Sequence, residues 1–96
     1  MRVSFHRFAE RELNEAALYY ESESPGLGVR FLDEITRQID LIIQNPEIGK
    51  MVRGLVRRRL VRKFPYGILY ILKDGEVRIL ATMNLKRRPS YWVGRS

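Results

Sequence analysis

The stretch Arg57–Leu72, RRRLVRKFPYGILYIL, decides how the chain is built. Its first seven residues include five cations, Arg57, Arg58, Arg59, Arg62 and Lys63, and its second half is almost wholly apolar or aromatic. Rough alternation puts Leu60 and Phe64 on one side of a strand and Val61, between cations, on the other. Pro65, Tyr66 and Gly67 suit a turn, because proline presets the backbone angle that a turn needs. The segment ILYIL then reads as a strand apolar on both faces, Ile68, Tyr70 and Leu72 on one and Leu69 and Ile71 on the other. A strand of this kind is covered twice or waits for cover.

Downstream, Asp74-Gly75 in KDGE is a strong hairpin signal, and VRILATM returns as the partner strand. The tail NLKRRPSYWVGRS reads as a turn and a short docked segment whose Tyr91 and Trp92 could cover part of the second face. Upstream, MVRGLV is a short strand or an irregular approach to one. Before it the period is helical. Ala9, Leu13, Ala16, Ala17 and Tyr20 recur at steps of three and four, with Glu10, Arg11, Glu12, Asn14 and Glu15 opposite. A second helix carries Leu27, Phe31, Leu32, Ile35, Ile39, Ile42 and Ile43. Ser24 is expected as its N-cap with Pro25 at the first helical position, and Asn45-Pro46 stops it near Gln44. Residues 2–5, RVSF, read as a short strand. The order is β-α-α-β-β-β plus tail. This is an α+β class, a helical hairpin on an antiparallel sheet, with residues 1–96 as one domain.

Charge narrows the partners. Residues 1–48 hold five Lys/Arg and nine Asp/Glu, a net −4, whereas residues 49–96 hold thirteen and two, a net +11. That asymmetry points to a polyanion, either nucleic acid or an acidic protein segment. There is no cysteine, so neither disulfides nor thiolate metal sites are expected, and a reducing cytoplasm is compatible. No apolar run resembles a signal peptide or a membrane span. Carboxylates fall mostly on helix surfaces, with no His- or Cys-rich cluster, so neither a metal nor a cofactor is expected.

The segments SPGLGVRFLDEI, NPEIG, RRRLVRKFPYGILYIL and VRILATMNLKRRPSYW together resemble the RelE/ParE family of bacterial toxins, closer to its ParE-like branch. FPYGILY and RRPSYW are the most specific pieces. The resemblance implies the toxin of a type II toxin–antitoxin module, of the plasmid-stabilisation or stress kind. Its partner would be a small antitoxin with an acidic, partly disordered segment. RelE-like members cut messenger RNA on the ribosome, whereas ParE-like members inhibit DNA gyrase without being nucleases. The chain departs from the family at Asn84, where many relatives have histidine, which raises the possibility of a copy that has lost its toxicity. An arginine that contributes to cleavage in RelE-like members falls at Gly67 or nearby. The lysines that precede the strand there fall near Arg58 and Leu60.

Cleavage without a metal needs a base, an acid and cations around the phosphorane. Cations are plentiful, but the only histidine, His6, lies far in sequence from them and reads as a surface or helix-edge residue. A nuclease would therefore draw on Arg59, Arg62, Arg87 and Tyr91, with Arg87 and Arg88 lowering the phenol pKa. The shortage of acid–base groups favours a binding inhibitor over an enzyme. Its partner-binding residues are then expected among Arg57, Arg58, Arg59, Arg62, Lys63, Leu69, Ile71, Arg87, Arg88 and Trp92.

Overall fold

The computed structural model describes all residues, 1–96. The elements are β1 (Arg2–Phe5), α1 (Arg7–Glu23), α2 (Leu27–Gln44), β2 (Lys50–Arg53), β3 (Val56–Leu60), β4 (Tyr66–Lys73) and β5 (Glu76–Asn84). The sheet order is β1-β5-β4-β3-β2. The α+β class and the helical hairpin are as read from the sequence. The sheet is mixed rather than wholly antiparallel, because β1 pairs in parallel with β5 at one edge. MVRGLV is a strand, a tight turn and the start of the next strand, which brings the sheet to five strands. No helix is long and apolar enough to cross a membrane.

The helices form for the periodic reason given above, but their junction is built differently. Ser24 ends α1, its N–H donating to the Tyr20 carbonyl, and α2 starts two residues after Pro25, behind Gly26 at φ 86°. The cap of α2 comes from the preceding helix. Glu21 accepts from the N–H groups of Gly26 (2.9 Å) and Gly28 (3.0 Å), placing a carboxylate on the free donors and positive dipole end of α2. Gly28 allows the helices to close, since a Cβ there would lie 2.5 Å from the Ala17 carbonyl oxygen. The stop at Gln44 is as expected.

Ala9, Ala16, Ala17, Phe31, Ile35 and Ile42 pack on Tyr66, Ile68, Tyr70, Val77 and Ile79 to make the main core. Alternation holds through β3 into Val61, which follows Arg57 and Arg59 to the helix side and is buried in that core, while Leu60 follows Arg58 to the other side and is exposed. Phe64 leaves the side expected for it because of a turn at Arg62–Pro65 with Lys63 at φ 69°, closed by the Val61 N–H on the Tyr66 carbonyl (2.9 Å). Tyr66 and Gly67 therefore belong to β4 rather than to the turn. Phe64 swings back into an aromatic cluster, 5.0 Å from Tyr20 and 5.1 Å from Phe31. The β4–β5 turn is as expected, with Asp74 (φ 51°) and Gly75 (φ 72°) both left-handed, the geometry of a type I′ hairpin turn.

A bulge in β5 changes which residues face the helices. Tyr70 pairs with Ile79 and Leu69 with Ala81, leaving Leu80 without a cross-strand partner. An extra residue shifts the alternation by one. Val77 and Ile79 face the helices before it. After it Thr82 does, with its hydroxyl donating to the Ala9 carbonyl (3.1 Å), while Ala81 and Met83 turn to the far face. There Trp92 from the tail covers Leu69, Ala81 and Met83. The chain itself thus closes the second face of ILYIL at Leu69, while Ile71 stays half-buried.

Gly28→Ala should destabilise the protein by about 1–3 kcal/mol, because the added methyl meets backbone rather than a movable side chain. Urea unfolding followed by far-UV circular dichroism checks this; a change within about 0.5 kcal/mol would show that the helices do not depend on that close approach.

Candidate interaction surface

Pairing fixes the direction of each cation on β3. Arg57 lies opposite Tyr70 and Arg59 opposite Ile68, on the helix side, whereas Arg58 lies opposite Leu69 on the far side. Two of the three are held by the fold. The Arg57 guanidinium donates to the carbonyls of Glu47 (3.1 Å) and Gly49 (2.9 Å) and lies 3.7 Å from the Glu47 carboxylate. Arg59 Nε donates to Gln38 Oε1 at 2.8 Å. Gln38 is a polar residue fully buried on α2, unforeseen because it sits in the middle of an apolar stripe. Arg58 runs its stem across Gly67, where a Cβ would come within 3.3 Å of its Cγ. Arg62 and Lys63 are exposed at the turn.

Leu69 is 1% exposed and Trp92 5%, so both spend their area on each other rather than at a free surface. Ile71 is half-buried near the end of β4, and Arg88 is exposed in the tail. The guanidinium of Arg87 stacks on the Tyr91 ring, 4.1 Å from its centroid.

The four residues a nuclease would draw on do not converge. Arg59 and Arg62 line a groove beside β2 and β3, whereas Arg87 and Tyr91 line another, between α1 and the tail, with Glu12, Glu15 and Asn84. The Tyr91 hydroxyl is buried without a hydrogen-bond partner. Burial foremost, and then Glu12, raise its pKa, outweighing Arg95 and Arg87. The expected lowering by arginines is reversed, because the ring is buried and α1 also brings the Glu12 carboxylate to it. A phenol shifted upward is a poor base at neutral pH.

His6 is the N-cap of α1, its Nδ1 accepting from the Phe8 N–H at 3.1 Å. Its pKa is lowered from 6.5 by burial first, then by Arg95, Arg78 and Arg7. Asn84 has a turn-forming task, its Oδ1 accepting from the Lys86 N–H at 2.9 Å where β5 gives way to the tail.

The sequence model of a family described as "ParE toxin of type II toxin-antitoxin system, parDE" matches residues 3–89. The chain belongs to the ParE toxin family. It is accordingly the toxin component of a type II toxin–antitoxin system. A solved structure titled "Chromosomal ParDE TA system from P. aeruginosa" has the same fold, with a TM-score of 0.77 at 19% identity over 90% of this chain and 97% of that one. No curated protein matches the sequence.

The His6 cap gives this ParE-family fold a pH signature. A lowered folded-state pKa means that the unfolded chain binds the proton first, so the stabilisation is complete above pH 6.5 and is lost as pH falls below it toward the folded-state value. Melting temperature should decline from pH 7.5 to 5.5, and His6→Asn, which supplies a capping oxygen in place of Nδ1, should decline less. Parallel profiles for the two proteins would show that His6 does not titrate with folding.

Proposed function

We propose that this ParE-family toxin acts by binding, with DNA gyrase as its target, and that an antitoxin with an acidic, partly disordered segment holds it silent in the cytoplasm. The observation that carries this is the separation of the arginines and tyrosine that RNA cleavage would require. Arg59 and Arg62 are in one groove and Arg87 and Tyr91 in another. The single histidine is occupied as a helix cap, and the only tyrosine in the proposed nuclease set has a buried hydroxyl with a raised pKa. A site that must move a proton onto and off phosphate-linked oxygens needs such groups together and near neutral pKa. A surface that binds does not.

The antitoxin part of the reading draws support from the family's toxin–antitoxin pairing and from the net charge of +7. Asn84 does not weigh against toxicity on this reading, because its amide serves the turn into the tail. Histidine at the same place is not needed by a protein that breaks no bond.

Purified protein should inhibit supercoiling by DNA gyrase, and Tyr91→Phe should inhibit within about twofold of the parent, a difference below about 0.4 kcal/mol. Absence of inhibition together with codon-site cuts in ribosome-bound messenger, abolished by Tyr91→Phe, would replace this reading with an endoribonuclease.

A further inference from the structure

The fold sorts charge between its two layers. Of the eleven carboxylates, α1 carries five and α2 three. The strands carry one, Glu76, and it is occupied by Arg2 at 3.5 Å and by the Ser4 hydroxyl. Among the strand cations, Arg57 and Arg59 face the helices and are held there by the Gly49 carbonyl and by Gln38. Pairing turns the others to the far face. Lys50 lies opposite Arg58, Arg58 opposite Leu69, and Arg53 opposite Val56. Lys73 follows Leu69 and Ile71 to the same side by alternation and pairs with Glu76 across the β4–β5 ladder. The ion pairs of the protein involve Arg2, Arg37, Arg57 and Arg95, and none of Lys50, Arg53, Arg58 and Lys73. Lys50 and Arg58 are like charges directly opposite each other, an arrangement that destabilises the pair unless an anion lies between them.

The tail shapes a recess among these cations. Arg53, Arg58 and Ser90 line a cavity of about 200 Å³, over Leu69, Met83 and Trp92. An apolar floor lowers the local dielectric, so the two guanidiniums attract an anion there more strongly than they would in open water. Protein partners are fastened by apolar or aromatic anchors at the centre of an interface, with charge at its rim. Here the order is inverted. The apolar centre of the face, Leu69, Met83 and Trp92, is already buried by the chain itself, and the exposed aliphatic side chains, Val52 and Leu60, stand at its β2–β3 rim. Unpaired positive charge is what the face offers a partner.

A polymer bound through its charge suits such a face, because phosphate neutralisation by Lys and Arg needs no apolar anchor. We infer that the far face of the sheet, from Lys50 and Arg58 through Arg53 to Lys73, is a contact surface for the phosphate backbone of duplex DNA. One phosphate enters the recess between Arg53 and Arg58, and its neighbours meet Lys50 and Lys73. The contact is to the backbone and carries no sequence preference. The choice of duplex DNA rests on the reading of gyrase as the target, and it deepens that reading: the toxin grips the DNA that the enzyme holds as well as the enzyme.

Fluorescence anisotropy of the full chain with a labelled duplex of about 20 base pairs tests this. Four neutralised phosphates predict a slope of about −3 to −4 in log K against log salt. Trp92 emission should change on binding, because its ring lines the recess. Arg53→Glu/Arg58→Glu should weaken binding at least tenfold. Arg11→Glu/Arg30→Glu, the same change in net charge placed on the helices, should weaken it less than threefold. Arg53→Gln/Arg58→Gln keeps the side-chain stems and should still lose at least threefold, which decides the matter if the glutamate variant melts early. Equal losses in the two charge-reversed variants, displacement of the duplex by a polyglutamate peptide at equal charge concentration, or tighter binding of a single-stranded RNA of the same length would overturn the inference. Failure of the gyrase reading looks different. Duplex binding that maps to this face, in a protein that leaves supercoiling uninhibited, would keep the surface and remove the target.

Discussion

Beyond Phe5 no strand lies along the outer side of β5, and an ion pair takes the place of one. β1 pairs with β5 only from Glu76 to Ile79. Past that point the Thr82 N–H donates to Glu12 (3.0 Å) and the Leu80 carbonyl accepts from Arg95 (3.0 Å). Glu12 and Arg95 meet each other in a two-point contact at 3.0 and 3.1 Å. Helix, sheet edge and tail are thereby closed in one polar knot, with side chains only 13% and 17% exposed. The Arg95 guanidinium also lies 5.3 Å from the Phe8 ring centroid and 5.0 Å from that of Tyr91. Breaking a mostly buried pair of this kind by removing one partner costs about 3–5 kcal/mol, since the other charge is stranded.

That knot determines what surface is left for partners. With Arg95 anchored at the sheet edge, the tail crosses the far face and lays Trp92 on Leu69, Ala81 and Met83. Both faces of the central strands are then covered, one by helices and one by tail. Ile68, Leu69 and Tyr70 are consumed by folding, whereas Ile71 is half-buried and Leu72 exposed at the end of the strand. What remains open is the opposite edge, where the cations of β2 and β3 lie beside the exposed Met51, Val52, Leu55 and Leu60. The same clamp contributes to making Tyr91 a poor base, because burial foremost, and then the Glu12 carboxylate that holds Arg95, raise the phenol pKa.

Elements that depend on local periodicity were legible in the sequence: both helices, the Asp74-Gly75 hairpin and the stop at Gln44. Features that depend on contacts far along the chain were not. Glu21 caps α2 from the helix before it, so the local Ser24-Pro25 signal was outcompeted by a carboxylate held in place by helix packing. The Leu80 bulge reverses the facing of Ala81 and Met83, and strict alternation carries no mark of an inserted residue. Phe64 leaves the side of Leu60 for that of Val61 because Lys63 adopts a left-handed conformation. The site divides the same way. The cluster of cations was plain from composition, but their directions follow from register, and the separation of Arg59 from Tyr91 follows from the tail's route. The role of Arg95, 83 residues from Glu12, left no local signal.

Trp92 is the only tryptophan, so its accessibility reports directly on whether the tail closes the sheet. Acrylamide quenching of its fluorescence should be weak in the parent protein and rise toward the unfolded value in Arg95→Gln, with the far-UV spectrum largely retained. Equally strong quenching in parent and unfolded protein, or no change in Arg95→Gln, would contradict the account of an ion pair that holds the tail in place.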